Sequence, residues 1–547
     1  MTEPSNASAD ESPQTTGLAT TGTDYKIGQD NITPFGLDIH NPVFLISALS
    51  IVAFVLVTLM FQEGATEFFG WLRPFLTSNF DWFFLGSANI FVIFCLFLMV
   101  SPMGKIRLGG KDATPDYGYM GWFAMLFAAG MGIGLMFFGV SEPMSHFASS
   151  MGGTVGEMGM RTDWAPLGAA AGDAMAARDL AMAATIFHWA LHPWAIYAVV
   201  ALALAFFSFN RGLPLTLRSA FYPLLGERIW GWWGHTIDIL AVFATLFGLA
   251  TSLGFGTEQA LAGLNFLFGW STGNSAKVIL IAVITALALI SVLRGLDGGV
   301  KILSEINIAL AALLLIFVIA VGPTATIFDT IISGGAAYVK EIIPLSMPFG
   351  REDANFSQGW TSFYWAWWIS WSPFVGMFIA RVSRGRTIRE FVFCVIVIPT
   401  LVSVVWMGTF GGIAISQVMA DAAAPVKDAA LELKLFEMLK PLPFAAITSF
   451  IGIVLVLVFF ITSSDSGSLV IDTITAGGKT DAPASQRVFW CTFEGLVAAT
   501  LLLVGGSGAL TALQAMAVST GFPFTIVLLA MCVSLFIGLR GAMKEES

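Results

Sequence analysis

The residues with chemistry to offer sit inside apolar stretches. In Phe363-Tyr-Trp-Ala-Trp-Trp-Ile-Ser-Trp-Ser-Pro-Phe374, Trp365, Trp367, Trp368 and Trp371 crowd into two turns of helix. Tryptophan in membrane proteins usually marks the interface belt. Here Pro373 follows directly and the next charge is Arg381, about 15 Å further along a helix, which places the cluster in the membrane interior. Trp367 and Trp371 are spaced i, i+4, and Trp368 and Trp371 i, i+3, so they share a face. Indole faces attract cations, and a quaternary ammonium, with no N–H to donate, has few other selective contacts. A second segment, His188-Trp-Ala-Leu-His-Pro-Trp-Ala-Ile-Tyr197, adds Trp189, Trp194 and Tyr197, turned to one side by the kink that Pro193 allows. His188 and His192 have metal-compatible spacing, but no Cys, Asp or Glu stands near them in the chain, so packing or backbone hydrogen bonding is the expected role.

Two further segments break the rules of a lipid-crossing helix. Phe127-Ala-Ala-Gly-Met-Gly-Ile-Gly-Leu-Met136 places Gly130, Gly132 and Gly134 at alternate positions, each costing about 1 kcal/mol against alanine. Small residues can serve close helix packing. Packing seams prefer spacings of three or four, so alternation favours an unwound stretch baring its carbonyls to substrate and ion, as in secondary transporters. Phe459-Phe-Ile-Thr-Ser-Ser-Asp-Ser-Gly-Ser468 carries hydroxyls and Asp465 at membrane depth. Single hydroxyls can back-bond to their own helix. As a cluster they form hard oxygen ligands suited to a small alkali cation.

The elements that must position these residues are membrane helices. The 547-residue chain is 56% hydrophobic and only 11% charged, with a mean hydropathy of +0.80; soluble domains run nearer 25% charged. A net charge of -10 argues against nucleic-acid binding. Cys95, Cys394, Cys491 and Cys532 lie in apolar runs without metal or disulfide spacing. Residues 1–41 are polar and read as a disordered tail, not a signal peptide. Twelve apolar stretches are long enough to span a bilayer: 42–62, 82–102, 119–140, 182–207, 236–256, 277–295, 305–327, 358–380, 390–416, 443–472, 488–505 and 515–539. With both termini cytoplasmic, the 26 basic residues divide roughly two to one in favour of inner loops, as the positive-inside rule requires. Ala65–Leu76 and Phe328–Ile343 read as helices lying along the outer interface or packing on neighbours.

The segments FAAGMGIGLMFFGVSEP, HWALHPWAIY, FYWAWWISWSPFVGMFIARVSRGRTIREF and FFITSSDS resemble the betaine–choline–carnitine transporter family over roughly residues 42–540. The likeness is greatest to its sodium-coupled glycine betaine carriers. The resemblance implies an all-α, LeuT-like membrane protein: two extra helices (42–118), a first five-helix repeat (119–327), an outer amphipathic helix and loop (328–357), an inverted second repeat (358–539) and a short tail (540–547). It implies alternating access, sodium as coupling ion with no other cofactor or metal, a homotrimer, and a bacterial inner membrane. The expected substrate site comprises Trp189, Trp194, Tyr197, Trp367, Trp368 and Trp371, with Gly130, Met131, Gly132 and Gly134. One sodium site is expected from Ala128, Met131, Phe459, Thr462 and Ser463, and a second from Thr245 and Phe374.

The sequence also departs from the family pattern. Leu249 stands where a second fifth-span threonine is expected and offers no side-chain oxygen; Thr251 lies two residues on. Gly134 occupies a position that is acidic in choline-preferring, proton-driven relatives, so a zwitterion such as glycine betaine is favoured, with choline, carnitine, dimethylsulfoniopropionate and ectoine as alternatives. Only eight residues follow the last predicted span, whereas osmosensing relatives carry a long basic extension, so gating by that route is not expected. No HExxH, GxSxG or paired midplane carboxylate supports an enzyme, and an aromatic cage binds where a channel must conduct.

Overall fold

A computed structural model describes residues 23–130, 132–152, 170, 172–294, 301–351 and 353–546. The first helices are α1 (Val43–Met60), α2 (Gln62–Val100), α3 (Tyr119–Gly130), α4 (Ile133–Gly152), α5 (Ala174–Trp189), α6 (Leu191–Ala205) and α7 (Tyr222–Leu225). Next come α8 (Trp232–Phe268), α9 (Asn274–Arg294), α10 (Lys301–Val321), α11 (Thr324–Ser346), α12 (Ala354–Phe356) and α13 (Ser362–Arg381). The remainder are α14 (Ile388–Ala420), α15 (Lys434–Leu439), α16 (Ala445–Thr475), α17 (Ala484–Gly505) and α18 (Ala509–Glu546). Ten of these stretches are long and apolar enough to cross a membrane, with α5 and α6 counting as one. The other two predicted spans fall on α3 with α4 and on α13. The first is interrupted, and the second is diluted by tryptophan and serine.

Burial sorts the bundle. The most apolar stretch of Ala174–Asn210 is 94% buried inside the protein and that of Trp232–Phe268 is 83%, against 22% for Ile302–Val321. α5, α6 and α8 therefore form the centre with α13, whose side chains are nearly all buried, while α10 turns an apolar face outward as a lipid-facing helix does. Asp173 caps α5, accepting from the Met175 and Ala176 amides, and Gly269 ends α8 in the left-handed conformation.

The central helices are broken. α3 stops at Gly130 and α4 starts at Ile133, across the alternating glycines. α5 and α6 part at Ala190 (φ -108°, ψ -117°), three residues before Pro193, which has no N–H to give the helix. A π-helical turn, Ser357–Thr361, leads into α13; such turns are rare and cluster at functional sites.

At the ends of the chain the structure revises expectation. Residues 23–40, expected as part of a disordered tail, fold onto the bundle. Asn31–Ile32 pairs antiparallel with Ile39–His40, Tyr25 stacks on Trp230 at 3.7 Å, and Lys479 Nζ donates to Asp38 Oδ2 at 2.5 Å. Residues 1–22 lie outside the described residues. α18 runs on to Glu546, well beyond the predicted span end, and Glu545 accepts from Arg211. Ala65–Leu76 lies in the first part of α2, which a kink at Phe80 (φ -129°, ψ 16°) sets off from the second part, the predicted span. Phe328–Ile343 lies within α11, packed on α5 and α14.

Candidate substrate and ion site

The breaks and the aromatic run converge. Trp367 and Trp368 stack nearly parallel (centroids 5.0 Å, 12°), and Trp189, at the last residue of α5, meets Trp368 edge-on at 4.9 Å. Tyr197 approaches Trp368 at 6.1 Å and Trp194 meets Tyr197 at 5.5 Å, so the two predicted segments form one aromatic wall. The indoles are fixed by their nitrogens: Trp368 Nε1 donates to the His188 carbonyl (2.9 Å) and Trp367 Nε1 to Ser252 Oγ (3.2 Å). Trp371 stands a turn away, edge-on to Phe374 at 5.4 Å, with its Nε1 buried and without a hydrogen-bond partner among the described residues.

The glycines complete the wall from the other side. A Cβ at Gly134 would lie 2.7 Å from Trp189 Cη2 and 3.1 Å from Trp367 Cη2, so the two rings occupy the space any side chain would need. At Gly132 the nearest atoms, on Phe459 and Trp371, would be 3.9 Å away, an ordinary contact. Gly130 and Ala128 lie in the last turn of α3, and Met131 lies outside the described residues.

The helix that carries three of the predicted ion ligands reaches the same break through Phe459. α16 is a continuous helix carrying Phe459, Thr462 and Ser463, and Phe459 is what brings it to Gly132. Thr462 Oγ1 donates to the Val458 carbonyl at 3.0 Å, which leaves its lone pairs for a cation. For the second pair, Thr245 back-bonds to Ala241 at 2.8 Å, and α8 approaches α13 closely where Gly248 faces Trp371. Leu249 is fully buried and packs against Gly467 of α16.

Sequence reasoning missed the group that holds the cage together. Glu142, in α4, is fully buried and its Oε2 accepts from Trp189 Nε1 (2.7 Å) and Tyr364 Oη (2.5 Å). Its Oε1 faces His188 Nδ1 (2.6 Å) and His146 Nε2 (3.2 Å), and His188 Nε2 meets Thr361 Oγ1 of the π turn at 2.9 Å. The role expected for His188, packing or backbone hydrogen bonding, is therefore revised, because folding brings it a carboxylate from 46 residues away. Glu142, His146 and His188 are spaced for a metal, and the same spacing puts each histidine within hydrogen-bond distance of Glu142 Oε1. His192 is apart from it, bonded to Asn89.

Beside the cage, on the face away from the chain ends, a cavity of about 150 Å³ is lined by Phe138, Phe255, Trp360 and Phe363, among others. Phe138 and Phe255 also meet Trp367 edge-on, at 5.9 and 5.5 Å, so they separate this vestibule from the cage.

Residues 42–544 match the family model described as BCCT, betaine/carnitine/choline family transporter. The chain belongs to the betaine/carnitine/choline transporter family. It is 67% identical over 521 residues to a glycine betaine/proline/choline transporter of Vibrio parahaemolyticus, covering 94% of each chain. It is 57% identical to glycine betaine transporter 1 of the same organism, covering 95% of this chain and 97% of the relative. The glycine betaine transporter OpuD of Bacillus subtilis is 43% identical, over 86% of this chain and 89% of its own. Membership of this family makes the aromatic wall, in a multi-pass membrane protein, a candidate solute site rather than an interface belt.

Proposed function

We propose that the protein imports a trimethylammonium solute, glycine betaine first, by sodium-coupled symport across the bacterial inner membrane. The observation that carries this reading is the wall of Trp189, Trp367 and Trp368 closed against side-chain-free Gly134. Such a site offers a trimethylammonium group π faces and little else. Proline and choline are further candidates, since a relative sharing two thirds of the sequence is named for them. Tyr197 Oη and Trp371 Nε1, buried and without hydrogen-bond partners among the described residues, are donors available to a substrate carboxylate.

Twelve crossings are the natural reading: the ten long apolar helices, α13, and α3 joined to α4 across the glycine break. Counted so, both termini are cytoplasmic, and α3 to α10 and α13 to α18 form the two inverted repeats that rock around the site. Sodium binds between backbone oxygens of the Ala128–Met131 stretch and Phe459, Thr462 and Ser463. Supporting this, α16 brings Phe459 against Gly132 at the break and carries the Thr462 hydroxyl three residues further on. A second sodium at Thr245 and Phe374 loses a ligand to Leu249. The protein acts as a homotrimer and performs no catalysis.

Labelled-solute uptake into proteoliposomes under an imposed sodium or proton gradient tests this. The panel is glycine betaine, choline, proline, carnitine, dimethylsulfoniopropionate and ectoine. Sodium-driven uptake of glycine betaine is expected; uptake driven only by protons would defeat the coupling.

A further inference from the structure

We infer that Glu142 is the electrostatic anchor of the cage: a buried anion that, through Trp189 Nε1, tunes the site for a positively charged headgroup over an uncharged one of the same shape. This rests on the aromatic-cage reading and adds to it a positioning residue that itself touches no solute.

A carboxylate offers about four lone-pair sites. Glu142 spends all four: on Trp189 Nε1, Tyr364 Oη, His188 Nδ1 and His146 Nε2, at 2.7, 2.5, 2.6 and 3.2 Å. An indole N–H can only donate, the Tyr364 hydroxyl donates to the same oxygen, and each histidine donates to Oε1 in the tautomer that carries its proton on the facing nitrogen, the set of donors an ionised carboxylate takes. All these side chains are buried, where polar interactions are little screened. Hydrogen-bonding an anion to an indole N–H pushes electron density onto the ring and makes its face more negative. The ring so polarised is the one meeting Trp368 edge-on at 4.9 Å and pressing on Gly134. Tyr364, the other donor to Oε2, lies 5.7–6.1 Å from Trp189, Trp368 and Trp367. The anion thus holds the outer edge of one cage ring, separated by that ring from the solute position, near enough to act as counter-charge and screened from direct ion pairing. That separation suits a zwitterion or cation that must be released again.

The test compares glycine betaine with 3,3-dimethylbutanoate, its isostere with an uncharged tert-butyl group, by calorimetric binding to the full-length purified protein. The wild type is expected to prefer glycine betaine. In Glu142→Gln the shape of the site is kept and the charge lost, so glycine betaine should weaken by about tenfold, the scale of one cation–π contact. The isostere should change by less than about twofold on the same scale. Equal weakening of both ligands, or an unchanged ratio, overturns the inference. A wild type that does not distinguish the two ligands overturns the cage reading instead. Should Glu142→Gln not fold, Glu142→Asp keeps the charge but draws it back from Trp189 by one methylene, and a reduced ratio is expected; a wild-type ratio there overturns the inference.

Discussion

Replacing Gly134 with alanine should damage binding, and damage it more than the same change at Gly132. The added methyl would stand 2.7 Å from Trp189 Cη2 and 3.1 Å from Trp367 Cη2, against about 3.5–4.0 Å for a relaxed carbon–carbon contact. One or both rings must therefore retreat by about 1 Å, and such overpacking costs about 1–3 kcal/mol. Against this, alanine favours the first turn of α4 over glycine by about 0.5–1 kcal/mol, so net stability should fall by about 0–2.5 kcal/mol. The solute feels the displaced rings fully: losing about 1.4–2.8 kcal/mol of cage contact raises Kd about 10- to 100-fold. Gly132→Ala is the internal comparison, because its methyl meets Phe459 and Trp371 at 3.9 Å with no clash; its Kd should change by less than about threefold. The assay is glycine betaine binding by tryptophan fluorescence, with melting temperature measured alongside. Wild-type affinity in Gly134→Ala, or a greater loss in Gly132→Ala, would refute the reasoning.

Trp371→Leu should weaken glycine betaine binding at least about tenfold, the loss of one buried cation–π contact; an unchanged Kd would remove Trp371 from the cage and leave Trp189, Trp367 and Trp368. Joint replacement of Thr462 and Ser463 by alanine should raise the sodium concentration for half-maximal uptake severalfold while sparing sodium-free solute binding, and an unaltered sodium dependence would dismiss that site. Arg386, which donates to Glu390 (2.7 Å) and the Tyr117 carbonyl (2.6 Å) and lies over Tyr119 and Trp122 (4.4 and 4.5 Å), ties α3 to α14 on the side of the chain ends. Arg386→Ala should destabilise by about 1.5–3 kcal/mol, the value of hydrogen bonds to a charged group, read as a lower melting temperature; no change would make the tie ornamental. Partial burial raises the Asp38 carboxyl, but bonds from Lys479 and Asn31 outweigh it and hold the group below its ordinary value. A depressed carboxyl stabilises above its unfolded pKa, and the benefit is lost as pH falls through the folded one. Residues 23–40 should therefore become protease-sensitive below about pH 4, or at neutral pH in Asp38→Asn; protection in both would show that the Asp38–Lys479 pair does not hold the segment.

What the sequence disclosed was whatever is costly in a membrane. Tryptophans beside Pro373, alternating glycines and a run of hydroxyls stand out against leucine and valine, and the structure gathers the tryptophans, the glycines and Phe459 at the head of the hydroxyl run about one break. What stayed hidden depends on distance along the chain. Glu142 looks like the polar flank of a span, and its partners His188, Trp189 and Tyr364 lie 46, 47 and 222 residues away. The π turn at Ser357–Thr361 has no periodic signature. Residues 23–40 are polar enough to read as disordered; their order comes from pairing with Lys479, Ala476 and Trp230, which no local pattern reveals.

The four bonds converging on Glu142 also shape how this protein tolerates change. Trp189, Tyr364, His188 and His146 each answer to the same two oxygens, so removing one frees a lone pair that the others must absorb. Substitutions among the five should be strongly non-additive, with paired changes milder than the sum of single ones. A scan taken one position at a time would score every member as indispensable, whereas a library varying them together could find a different set of five that does the same work.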